Sequence, residues 1–143
     1  MKWLNKLLNR NKGSAKSKDS AFVISSAIDD IREAGSVDGE HYTGSVERVK
    51  QLKREGKNQE AIEILLRCVD ATEAESQFAG KDWVVAPWYY EQLAILYRKE
   101  KLYQEEVRIL ERYASQAKRA GMGSEKLAER LLKAKELLAK HGV

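Results

Sequence analysis

The stretch APWYYEQLAILYRKEKLYQEEVRILERY, residues 86–113, decides the fold. Its apolar residues recur at three- and four-residue intervals, the repeat that turns one face of an α-helix towards a core. Pro87 suits the first position of a helix, where its missing N–H would have had no partner. The stripe Tyr90, Leu93, Ala94 and Tyr97 predicts a helix running to about Glu100, and Val107, Leu110 and Tyr113 predict a second over about 103–119. Three adjacent aromatics cannot share one face. Tyr90 belongs to the buried stripe, Trp88 falls on another side with Glu91, Ile95, Arg98 and Lys99, and Tyr89 lies between the two.

The same periodicity extends in both directions. Upstream, SVERVKQLKREG predicts a helix with Val46, Val49 and Leu52 inward, stopped by Gly56 where a left-handed cap residue is wanted. After a turn, Asn58 is suited to cap a longer helix whose stripe is Ala61, Ile62, Leu65, Leu66, Cys68, Val69 and Thr72, persisting to Gly80. KDWVVA, residues 81–86, is a connection. Downstream, GMG breaks the pattern and Ser124 caps a last helix carrying Leu127, Leu131, Leu132, Ala134, Leu137 and Leu138. SVDGEHYTG, residues 36–44, reads as a loop. Before it, Asp19 or Ser20 can cap a helix with Ile24, Ala27, Ile28 and Ile31 inward, ending at Gly35, although AFVIS alone is also compatible with a strand.

Composition agrees with an all-α chain: 143 residues, 43% hydrophobic, 34% charged and a single proline leave little room for the turns of a β-sandwich. The length suits one domain, residues 20–141, preceded by residues 1–19 as an arm and linker. In the arm, MKWLNKLLNRNK places Trp3, Leu4, Leu7 and Leu8 on one side of a helical wheel and Lys2, Lys6 and Arg10 on the other. GSAKSKDS, residues 13–20, has the composition of a flexible linker. The net charge of +4 hides a division: residues 1–18 hold six bases and no acid, and the remainder holds 20 bases against 22 acids. A basic folded surface for nucleic acid is therefore not expected, and phosphate contact would fall to the arm. The arm alone would bind an anionic membrane only weakly.

Cys68 is the single cysteine and has no disulfide partner within the chain. No stretch has the apolar length of a secretory leader or a membrane span, so the expected compartment is the cytoplasm. His41 and His141 lack the spacing of a zinc site. No phosphate-cradling glycine loop, nucleophile elbow or paired histidine and acid motif is present. No catalytic residue, metal or cofactor is expected.

Two helical hairpins follow one another, and each carries half of a known pattern. In the second, Tyr90, Leu93, Ala94 and Tyr97 precede Val107, Leu110 and Tyr113; in the first, Gly56 precedes Glu60, Ala61, Leu65 and Cys68. Over residues 42–113 this resembles the tetratricopeptide repeat family. Ser45, Arg48 and Val49 depart from that pattern in the first hairpin, and Glu106 and Tyr113 occupy two of its small-residue positions in the second. Aligning Leu52 with Tyr97 gives a period of 45 residues, longer than the roughly 34 of the family, with the surplus in the long helix and the connection after it.

The resemblance implies a right-handed array of two hairpins, closed by capping helices at residues 20–34 and 124–140, or by dimerisation through an uncovered end. It also implies a concave groove. Trp88, Glu91, Ile95, Arg98 and Lys99 would line it from the second hairpin, with Thr43, Val46, Lys50, Lys53 and Arg54 from the first. A large aromatic, two aliphatics and five bases suit an acidic or carboxylate-ended protein segment. The expected function is that of a non-catalytic protein-interaction module, an adaptor or scaffold. The alternatives are a nucleic-acid-associated helical protein using its arm, and an adaptor tethered weakly to membrane.

Overall fold

The computed structural model describes residues 17–80, 83–116 and 123–142, and its architecture is all-α. The proposed arm, Trp3, Leu4, Leu7 and Leu8 included, lies outside the described residues. Among the described residues six helices follow in order: α1 (Ser17–Ala34), α2 (Val46–Arg54), α3 (Asn58–Ala79), α4 (Pro87–Lys99), α5 (Tyr103–Ala114) and α6 (Glu125–His141). α1 packs on α3, α2 and α3 form one hairpin, α4 and α5 form the next, and α6 packs along α5. One apolar cluster runs through α2 to α6, from Val49, Leu52 and Leu65 to Leu93, Leu110, Leu127 and Ala134. Tyr90 is fully buried and Tyr97 nearly so, as their stripe requires.

The two hairpins turn by the same device. Lys57 N–H donates to Leu52 C=O at 2.9 Å, and Leu102 N–H donates to Tyr97 C=O at 2.8 Å. Each is the six-to-one bond of a left-handed helix stop, with Gly56 at φ 72° in the first and Lys101 at φ 60° in the second. These positions repeat the 45-residue offset between Leu52 and Tyr97. A lysine carries a side-chain clash in that region which glycine escapes. Lys101→Gly is therefore expected to raise stability by about 0.5–1 kcal/mol, and Gly56→Ala to lower it by about 1 kcal/mol, in urea unfolding.

Several boundaries differ from expectation. The expected caps Asp19 and Ser20 already lie within α1, as does AFVIS, which is helix. Asn58 is already the first residue of α3 rather than its cap, and its amide donates to Glu100 at 2.7 Å, tying the start of α3 to the residue that follows α4. Ser124 does cap α6, accepting from Leu127 N–H at 3.3 Å.

Residues 36–44 are more ordered than a loop. Ser36–Val37 (β1) and Glu40–His41 (β2) pair antiparallel around Asp38 and Gly39, both at positive φ, as a two-residue hairpin demands. A single 3-10 turn, Tyr42–Ser45, then leads into α2. On α6 the apolar stripe is incompletely covered: Leu127 and Ala134 are buried, but Leu132 is 67% exposed.

The core is unusual in its tyrosines. Burial raises the phenol pKa of Tyr42, Tyr89, Tyr90 and Tyr97, and the nearby Glu73 carboxylate adds to the effect at Tyr90. Native phenols thus hold their protons above the ordinary value of 10.0, while unfolded ones release them there. Stability from this source is intact below that pH and is lost as pH climbs beyond it. Tyrosinate absorbance and loss of helical circular dichroism should therefore rise together above pH 10. Ionisation of these four phenols in a chain that stays helical would contradict the assignment.

Candidate functional site

α2, α4 and α6 share a face on which charged side chains from three helices meet. Lys53 of α2 is partly buried and donates from Nζ to Gln92 Oε1 of α4. Burial lowers its pKa, and the nearby charge of Lys99 lowers it further, partly opposed by Glu91. Lys99 is the last residue of α4, and Glu91, near the start of that helix, accepts from Lys126 of α6 at 2.6 Å. Two cations from separate hairpins thus stand close enough to repel, beside an acid already engaged by a third helix.

Arg98 sits deeper than expected for a groove base. Its Nε donates to Glu106 Oε1 and Oε2 at 3.0 and 2.8 Å, and Nη2 lies 2.8 Å from Oε2 without hydrogen-bond alignment. Arg130 of α6 adds a bond from Nη1 to Oε2 at 3.2 Å. Glu106 itself is 0% exposed, so two guanidinium groups neutralise one carboxylate at the junction of α4, α5 and α6. Arg98 is spent on this anchor.

The remaining expected groove residues divide. Val46 and Trp88 are half-buried and pack against the core, with the Trp88 ring edge-on to Tyr89 at 5.1 Å. Ile95 is half-buried on the same helix. Lys50 pairs with Glu47 and Arg54 with Gln51, both along α2 itself. The face therefore brings together Lys53, Lys99, Glu91 and Gln92, flanked by half-buried Trp88 and Ile95. Tyr89, expected between the two sides of its helix, is buried, and its hydroxyl donates to Tyr42 C=O at 3.4 Å.

A second polar constellation was not legible as such. Glu75 of α3, 3% exposed, accepts from Trp83 Nε1 at 2.9 Å and meets His41 Nε2 at 2.5 Å. Thr43 hydroxyl lies 2.9 Å from His41 Nδ1, and Thr43 N–H points to that nitrogen at 3.5 Å, an arrangement that suits Nδ1 as acceptor and Nε2 as donor to Glu75. Ser76 Oγ donates to Trp83 C=O, and Thr72 Oγ1 accepts from Ala86 N–H at 2.9 Å. The α3 residues Thr72, Glu75 and Ser76 thus clamp the β-hairpin on one side and the connection before α4 on the other. Glu75 and Ala79 continue the Cys68 and Thr72 stripe at three- and four-residue steps, a signal masked by the acid.

Cys68 is fully buried, burial raises its thiol pKa, and Sγ points to Tyr42 C=O at 3.9 Å. Among the described residues no helix is long and apolar enough to cross a membrane. No protein-family model, curated protein or solved structure matches this chain.

Proposed function

We propose that the chain is a non-catalytic, tetratricopeptide-like interaction module that receives an acidic protein segment on the face shared by α2, α4 and α6. The observation that carries this reading is the approach of Lys53 and Lys99 from different hairpins, which depresses the Lys53 pKa beyond the effect of burial. Lys53 is partly desolvated and is repelled by the exposed Lys99, so an incoming carboxylate relieves repulsion already present in the free protein. Trp88 and Ile95 supply apolar contact beside them, and Gln92 supplies a polar partner to orient Lys53.

A fluorescent peptide rich in aspartate and glutamate with a free C-terminus, titrated against the full chain, tests the proposal. Lys53→Ala with Lys99→Ala is expected to weaken binding by about tenfold or more, and Trp88→Ala to weaken it by a similar factor. Alanine at Lys50 and Arg54, which are paired along α2, should change it little. Equal loss in both pairs of bases would point to general charge attraction instead. Duplex DNA binding better than the peptide, with a steep salt dependence, would favour the arm and sink the groove.

A further inference from the structure

Two opposite charges on the face of α2, α4 and α6 feel each other without pairing. Lys53 and Glu91 interact across the gap between α2 and α4, yet each turns to another neighbour. Lys53 Nζ donates to Gln92 Oε1 on α4, and Glu91 Oε1 lies 2.6 Å from Lys126 Nζ of α6. Lys126 is the only ion-pair partner of Glu91 among the described residues, and its side chain is 73% exposed. A lysine so far into solvent holds its acid weakly and yields it to a better-placed cation at small cost. The Glu91 side chain is 18% exposed, so a cation that reaches it is partly shielded from water and gains more than one at the rim.

Half-buried Trp88 lies one turn before Glu91 on the same side of α4. An indole beside a carboxylate suits an ammonium or guanidinium group, which the acid attracts by charge and the ring by its electron-rich face. Beyond Glu91, Lys53 and Lys99 approach each other from α2 and the end of α4. The face therefore has a cation-receiving end, Trp88 and Glu91, next to an anion-receiving end, Lys53 and Lys99. Lys53 meets α4 at Gln92, one turn or about 6 Å along the helix from Trp88. Alternate residues of an extended chain point the same way about 7 Å apart, so a base and an acid two positions apart reach both ends.

We propose that the segment received on this face carries a lysine or arginine two residues from its acid, and that Glu91 is the residue that selects this base. The proposal rests on the acidic-segment reading of the same face and adds to it a second charge of opposite sign. A uniformly acidic segment sets one carboxylate against Glu91. A base at that point takes the place of Lys126, which returns to solvent.

Short fluorescent acidic peptides that differ at one position test it against the full chain. The varied residue is lysine, glutamine or glutamate, placed two positions before a fixed glutamate in one set and two after it in another, so that both chain directions are sampled. In one set the lysine peptide is expected to bind about fivefold more tightly than the glutamine peptide, with glutamate weakest. Attraction to the bases alone would give the reverse order. Two variants then separate selection from helix packing, since both break the same contact between α4 and α6. Glu91→Gln should erase the preference for lysine, whereas Lys126→Ala leaves Glu91 unclaimed and should strengthen binding of the lysine peptide. A purely structural contact would move both variants the same way. Affinities that follow net charge in both sets, or variants that weaken the lysine peptide alike, would overturn the selection and leave the acidic-segment face standing. Failure of every peptide to bind would overturn the reading beneath it as well.

Discussion

Replacing Arg98 and Arg130 together by methionine is expected to lower the unfolding free energy by about 3–5 kcal/mol, the largest effect foreseen for this chain. Glu106 has no solvent to turn to, since it is 0% exposed, and two guanidinium groups hold its carboxylate. The single substitutions should rank unequally. Arg98 places three contacts on the carboxylate and Arg130 places one, so Arg98→Met should cost more. Adding Glu106→Leu to the double variant should restore most of the loss, because a buried ion cluster exchanged whole for apolar groups of similar size is close to neutral. Urea unfolding of these variants beside the unaltered chain measures this. A triple variant no more stable than the double would show that packing, not charge, holds the junction. The function follows the same link: α6 reaches α4 through this cluster and through Lys126 to Glu91, so loosening it removes one wall of the proposed binding face.

The helices were legible because their burial follows simple periods, and the turn at Gly56 because glycine marks a left-handed stop. Lys101 hides the same stop, and only the offset from Leu52 to Tyr97 betrays it. The D-G pair at residues 38–39 did carry a hairpin signal, but strands of two residues give alternation no length in which to appear. Glu75 and Glu106 were illegible for a different reason. Each stands at a stripe position, where an acid reads as an interruption unless its partners are known, and those partners lie 34 residues away at His41 and 24 away at Arg130. Arg98 was misplaced for the same cause: helical spacing assigns a face, but the deep carboxylate that captures a guanidinium comes from another helix. Lys53 and Lys99 are plain in the sequence as bases, whereas their approach required α2 and α4 to be set side by side.

Gly35→Ala is expected to destabilise the protein by about 2 kcal/mol, although Gly35 ends α1 at a position where a helix stop alone would tolerate alanine. A methyl group there would intrude on Glu75 Oε2 and stand 3.1 Å from both His41 Nε2 and the Tyr42 ring. The carboxylate cannot step aside cheaply, because Trp83 holds its other oxygen at 2.9 Å. Glu75→Ala should cost about 2–4 kcal/mol, since it strands the Trp83 and His41 donors in a largely dry site. The two substitutions should not add. Once the carboxylate is gone the methyl introduced at position 35 has space to occupy, so the double variant should be more stable than the sum of the singles predicts, by about 1 kcal/mol or more. With Trp3 and Trp88 replaced by phenylalanine, Trp83 fluorescence gives a local readout, shifting to the red when its clamp to α3 opens. Strict additivity, or an unshifted Trp83 emission in Glu75→Ala, would mean that the β-hairpin and the α3–α4 connection are held by their apolar contacts and not by this shared acid.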